Sequence, residues 1–322
     1  MASLSQQPEI RSPQRPLIAR IVGVETRYQA GFALWGYLFL LPWVVGLVLF
    51  IIGPMIASLY LSLTQYDILS APKFIGLANY QQAFFGDPQF WPSILRTLEY
   101  GVITVPLGLI GSLLLAMFLN RQVRGIGAFR TFFFLPSLTP TAALALLWIW
   151  LFDPNFGLVN EVLRAVGIPG PGWFASPQWA LPAVALTTLW ASWGGSTMLI
   201  FLAGLQGVDR SLLEAADIDG AGGWNKFWSV TLPLISPTMF FNFILGMIAA
   251  LQVFTVAYVA TEGGPNYATW FYALHLYNQA FKYFQMGYGS ALAWLFVLIL
   301  LLFTVVQLRF SRSWVHYDSE AK

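Results

Sequence analysis

Residues 283–308 read YFQMGYGSALAWLFVLILLLFTVVQL, a run of 26 residues without an Asp, Glu, Lys or Arg. A helix rises 1.5 Å per residue, so about 20 apolar residues cross a ~30 Å bilayer core. Lys282 and Arg309 close the run on either side. Five more stretches longer than 20 residues are equally free of charge: 28–66, 100–120, 131–152, 165–208 and 227–261. The stretch 165–208 is long enough for two spans. Its first part, Gly167-Ile168-Pro169-Gly170-Pro171-Gly172, cannot hold a helix, because proline lacks the amide donor and glycine loses too much entropy. The pattern therefore predicts an all-α membrane protein with six transmembrane helices, at 33–63, 99–119, 131–152, 179–205, 237–261 and 287–309.

Composition agrees. Of 322 residues, 57% are hydrophobic and 9% charged, against about 25% charged in soluble domains. No cysteine is present, which excludes disulfides and Cys-ligated metal. The net charge of +2 is too small to suggest a nucleic-acid partner. Placement of the charges says more. With the N-terminus inside, twelve Lys and Arg fall on cytoplasmic segments. Only Lys73, Arg96, Arg164 and Lys282 fall outside. That asymmetry puts both termini in the cytoplasm. A polar, basic tail over 1–32 then leads into a membrane domain over 33–310, with a second tail over 311–322. The first tail is not a cleavable signal, since Arg27 runs directly into a full-length span.

Three connections face outward in this topology: 64–98, 153–178 and 262–286. All are rich in Gly, Pro, Asn and aromatics. Ordered loops that touch a partner would look like this, and so would Trp and Tyr anchors at lipid headgroups. Pro42 and Pro54 punctuate the first span, while Gly101, Gly108 and Gly111 let the second approach its neighbours closely.

The longest internal cytoplasmic connection, 206–236, is chemically unlike the rest. Four of the chain's 14 acids, Asp209, Glu214, Asp217 and Asp219, lie within it. Ser211 and Glu214 have the spacing of a capping box. Leu212, Leu213 and Ala216 give the short helix an apolar face, and Gly220 supplies a left-handed stop. A second short helix runs from about 223 to Pro233. A lipid-surface helix carries Lys and Arg on its polar face; this one is acidic. Its apolar face either docks into a soluble partner or packs under the chain's own spans.

The same segment resembles the "EAA" signature of ABC-importer permease subunits. Glu214-Ala215-Ala216, three residues, Gly220, nine residues, then Val230-Thr231-Leu232-Pro233 match it, with Val230 in place of the usual Ile. Further segments resemble the carbohydrate branch, which includes maltose- and glycerol-phosphate-type importers, and within it the first of two permease subunits. They are Phe74-Ile75-Gly76-Leu77-Ala78-Asn79-Tyr80, Asp87-Pro88-Gln89-Phe90-Trp91, Phe133-Phe134-Leu135-Pro136, Phe201-Leu202-Ala203-Gly204-Leu205-Gln206, Glu262-Gly263-Gly264-Pro265 and Trp314-Val315-His316-Tyr317. The resemblance implies the type I ABC importer permease fold in a bacterial or archaeal cytoplasmic membrane. It also implies a second permease subunit, two ATP-binding cassette subunits and an extracytoplasmic solute-binding protein. A sugar would be the substrate. Coupling to the ATPases would run through Leu212, Leu213, Glu214, Ala215, Ala216, Asp217, Asp219, Gly220, Val230, Leu232 and Pro233. An importer of amino acids, peptides or phosphate esters is the nearest alternative, and a passive channel a further one.

Pathway candidates come from polar and aromatic residues deep in the spans. Trp190 and Trp193 lie ~16–21 Å into the fourth span, too deep for an interfacial belt. They either pack between helices or offer an aromatic platform to a sugar, with Ser196, Gln252 and Thr255 supplying hydrogen bonds. No ionisable residue lies inside any span, which speaks against an ion-coupled carrier. His275 and His316 have no second ligand at metal spacing. No lysine sits in a phosphate-binding loop. The chain is therefore expected to hold no cofactor and to hydrolyse no ATP itself.

Overall fold

A computed structural model of the chain describes residues 27–121 and 123–311. The expected tails lie largely outside these residues, as does the motif at Trp314–Tyr317. Two units meet at Tyr60. The described part of the first holds α1 (Arg27–Leu47), a wide π turn at Val48–Ile52, and most of α2 (Gly53–Ser62). The π turn has a local cause. Pro54 offers no amide donor, so the preceding turn widens and the Gly53 amide reaches back to the Val48 carbonyl.

The second unit opens on a short antiparallel pair, β1 (Thr64–Gln65) with β2 (Lys73–Phe74). Asn79 fastens it, donating to the carbonyls of Ser62 and Thr64 at 2.9 and 2.8 Å. Gly76 turns the chain with φ +61°, so the segment Phe74–Tyr80 acts as a clasp on this hairpin. The longest helix, α3 (Phe90–Leu119), follows. It begins nine residues before the expected start at 99. Arg96 and Glu99 end the charge-free run but pair with each other at 2.7 Å, one turn apart, so the charges do not end the helix.

The next two expected spans are broken. The first becomes α4 (Ile126–Phe134), a 3₁₀ turn and α5 (Thr141–Leu151), bent by 92°. Pro136 and Pro140 account for the break, since neither can donate and each restricts the residue before it. The second becomes α6 (Ala180–Trp193) and α7 (Ser196–Gln206), bent by 43° at Gly194-Gly195. The two breaks touch. A Cβ on Gly194 would overlap the Phe133 carbonyl, and one on Gly195 would lie 3.3 Å from Ser137. Beyond come α8 (Arg210–Ile218), α9 (Ser236–Leu251), α10 (Thr255–Ala260), α11 (Tyr272–Tyr277) and α12 (Met286–Ser311). Among the described residues, four helices are long and apolar enough to cross a membrane, or six if each bent pair makes one crossing.

Helix α3 is the hub, packed on α6, α7, α9 and α11. One core cluster joins Tyr100 and Val105 of α3 to Val184, Ala250, Ala257 and Phe271. A second joins Leu113, Ala116 and Leu119 to Met198, Phe201, Leu202 and Ile235. Small residues at these contacts let the backbones approach, which is how apolar helices associate without a hydrophobic drive.

Candidate functional site

A cavity of about 420 Å³ lies between α3, α6, α7 and α9, within the size range of ligand pockets. Its polar lining comes from helices far apart in the chain: Thr104 and Ser112, Thr188 and Ser192, Ser196 and Thr197, Asn242, then Gln252 and Thr255 at the break between α9 and α10. Some of these groups are already engaged. Thr104 and Thr188 hydroxyls donate back to carbonyls one turn earlier, at 2.8 and 3.1 Å, and Tyr100 donates to Thr188 at 2.9 Å. Asn242 is 2% exposed, and its Nδ2 has no hydrogen-bond partner. Buried polar groups are nearly always paired, so one without a partner at a cavity wall needs explaining. A hydroxyl-lined recess over Ser137, Thr139, Thr141 and Ser196 adjoins the cavity and shares its wall.

Ser196, Gln252 and Thr255 are thus brought together as expected from the sequence. Trp190 and Trp193 are not. Thr188 and Ser192 point one face of α6 at the cavity, and at 100° per residue both tryptophans fall on the other side. They border a separate apolar groove with Leu107, Gly111, Phe118 and Phe132. The Trp193 indole donates to the Leu107 carbonyl at 3.0 Å and packs where a Cβ on Gly111 would stand. Trp190 meets Trp148 edge-on at 5.9 Å. Helix packing is the role the geometry supports for this pair.

The segment 206–236 forms a second candidate site. The expected capping box is not made. Asp209 is the N-cap, accepting the Ser211 amide at 2.9 Å, so the helix starts at Arg210 and Ser211 lies inside it. The two hydrogen bonds from Ser211 hold the Asp209 carboxyl below its ordinary pKa. The Glu214 carboxylate is exposed and has no partner among the described residues. At the other end Gly220 has φ +76°, the Ala221 amide reaches the Ala216 carbonyl at 2.9 Å, and the Gly220 amide reaches Asp217 at 3.0 Å. These are the paired bonds of a Schellman stop. Asp217 then pairs with Lys226 at 2.6 Å, tying α8 to the next helix. That helix does not end at Pro233. It widens into a π turn over Phe227–Thr231, which absorbs the missing proline donor, and runs on through Leu232–Leu234. Val230, Leu232 and Pro233 lie on this bridge. Leu213 and Ala216 are half-buried, while Leu212 and Ile218 stay exposed at 46% and 87%.

His275 has no partner at ligand spacing in the sequence, yet in space it is not isolated. Its Nε2 lies 2.9 Å from Asp87 Oδ2, and both side chains are buried. Trp270 donates to His275 Nδ1 at 3.0 Å. An indole can only donate, so Nδ1 carries no proton and Nε2–H faces the carboxylate. Tyr288 donates to the same Asp87 oxygen at 2.6 Å, and the Gln89 amide to the other at 2.8 Å. Burial pushes the Asp87 carboxyl up, but these donors outweigh it and hold it at about 2. The network joins residues 87–89 to residues 270–288, two regions distant in the chain. Among the described residues no metal-binding cluster is present.

A bundle of long apolar helices around a polar cavity, formed where helices break, is the architecture of a membrane solute permease. Residues 105–316 match the model of the binding-protein-dependent transport system inner membrane component family. The chain is 43% identical to the probable ABC transporter permease protein YesP of Bacillus subtilis, over 88% of this chain and 93% of that protein. It is 36% identical to the sulfoquinovosyl glycerol permease SmoG of Agrobacterium fabrum, over 88% and 92%. It is 35% identical to the trehalose/maltose permease MalF of Thermococcus litoralis, over 86% and 93%. The fold superposes on a bacterial ABC transporter involved in import of the acidic polysaccharide alginate, with TM-score 0.79, 22% identity and coverage of 89% and 98%. The chain belongs to this family: it is the multi-pass permease subunit of a binding-protein-dependent ABC importer.

Proposed function

We propose that the chain forms half of a pathway for a sugar or sugar derivative. The cavity at Ser196, Asn242, Gln252 and Thr255 would be its passage through this subunit. The observation that carries this reading is the cavity itself, with its buried, unpartnered Asn242 and no charged residue in its lining. Sugar sites combine apolar walls with a few placed polar groups. The solutes named for the relatives, sulfoquinovosyl glycerol and trehalose/maltose, support the class. The reading includes six crossings within 33–310, both tails in the cytoplasm of a bacterial or archaeal cell, and a second permease subunit. Two ATPase chains would complete the importer, one of them docking on α8 of this chain, where the exposed Glu214 carboxylate and Leu212 remain unused by the chain itself. A solute-binding protein would deliver from the other side. The importer reconstituted in proteoliposomes tests this. Gln252→Ala should lower uptake at least severalfold while ATP hydrolysis stimulated by the loaded binding protein persists. Wild-type uptake in Gln252→Ala and Thr255→Val together would remove this cavity from the pathway.

A further inference from the structure

The cavity is bordered by the starts of two helices. Thr141 opens α5, while Ser196 and Thr197 open α7. Each helix is 11 residues long, and neither first turn receives a side-chain cap. The first amides of a helix have no partner inside it, and the aligned peptide dipoles place about half a positive charge there. Two such ends at one cavity favour a negative guest, and low-dielectric walls screen the effect less than water does. The lining holds no Asp, Glu, Lys or Arg that would swamp or cancel it.

Asn242 points to the same guest independently. It stands on α9, and its buried Nδ2 is a donor with nothing to donate to. The hydroxyls of Thr141, Ser196 and Thr197 likewise have no hydrogen-bond partner among the described residues. A neutral sugar hydroxyl brings a donor of its own for every contact. The three hydroxyls donate or accept and so pair with either kind of guest, but the donor-only Asn242 Nδ2 and the free helix-end amides are matched by the acceptor-only oxygens of a carboxylate, sulfonate or phosphate.

We propose that the cavity takes a sugar bearing an anionic group, seated between Thr141, Ser196, Thr197 and Asn242, with the neutral ring toward Gln252 and Thr255. Helix ends and amides bind an anion without a fixed countercharge, weakly enough to release it. The proposal rests on the cavity being a sugar site.

The test uses the permease assembled with its partner chains and no binding protein, titrated by thermal shift with glucuronate, glucose and sulfate in turn. Glucuronate should raise the midpoint at a roughly tenfold lower concentration than glucose, the ratio expected from two helix ends. Sulfate should shift it less than glucuronate. Gln252→Glu, at an exposed position, places a carboxylate in the cavity, and it should weaken protection by glucuronate far more than protection by glucose, abolishing the preference. Asn242→Asp should do the same, and if that variant fails to assemble, Gln252→Glu carries the test. Equal or stronger protection by glucose overturns the anion and leaves the sugar site standing. Protection by sulfate equal to glucuronate overturns the sugar-borne anion. Silence from both sugars overturns the proposal together with the cavity reading beneath it.

Discussion

Replacing Gly220 with valine isolates the role of one backbone angle. Gly220 has φ +76°, and no heavy atom lies within 4 Å of a Cβ built there. A Cβ there meets nothing, so the leading effect of the substitution is the strain of a left-handed β-branched residue. That strain is ~1–2 kcal/mol, a factor of about 5–30 in the population holding the native turn. Released from it, the chain loses the bonds from Ala221 to Ala216 and from Gly220 to Asp217, and α8 points elsewhere. Asparagine tolerates left-handed backbone far better than valine, so coupling should fall in the order Gly, Asn, Ala, Val. The assay is retention of the ATPase subunits on purification of the tagged permease, with uptake measured in parallel. Normal insertion with lost ATPase retention in Gly220→Val is the expected result. Equal retention across the four residues would refute the link between this turn and docking.

Gly111→Ala should push the Trp193 indole out of place, at a cost of about 1–3 kcal/mol from overpacking. It should lower the thermal midpoint, and Trp193→Ala should remove most of the difference; no change would deny the packing role. Asp87 is held at about 2 from an ordinary 3.8, so its stabilising contribution is complete above about pH 4 and is lost as pH falls through 2. The gap in thermal midpoint between wild type and Asp87→Asn should therefore close only as pH falls from about 4 through 2. Closure between pH 6 and 7 would contradict the assignment. Ser229→Cys, the only thiol in this cysteine-free chain, should resist a membrane-impermeant reagent in intact cells; labelling would reverse the orientation.

Charge-free length sufficed to locate all the long apolar helices, because the bilayer constraint acts on single segments. It could not show where those segments break. The signals were present at Pro140 and at Gly194-Gly195, but membrane helices tolerate proline and glycine, so residue type alone does not separate a kink from a break. The turn at Gly220 was legible, since only glycine adopts that backbone without strain. The cap was misassigned because Asp209 and Ser211 are both good caps two residues apart, and the choice depends on where the preceding helix delivers the chain. Asn242 was overlooked as one polar residue in an apolar run. Its rarity there was the available signal. The Asp87–His275 pair could not be found from spacing at all, because the fold alone joins residues so distant in sequence.

The break at Gly194-Gly195 also divides the molecule mechanically. Only residues 207–209 separate α7 from α8, and α7 is a rod of 11 residues, ~16 Å long. A load applied to α8 would travel along that rod toward Ser196 and Thr197 at the cavity wall. The glycine joint there is packed on Phe133 and Ser137, so any bend at it is felt by the break between α4 and α5. A straight, unbroken helix would transmit the same push to the far side of the bundle and dissipate it on packing. The joint sets the start of α7, with Ser196 and Thr197, at the polar wall of the cavity and braces it on the neighbouring break.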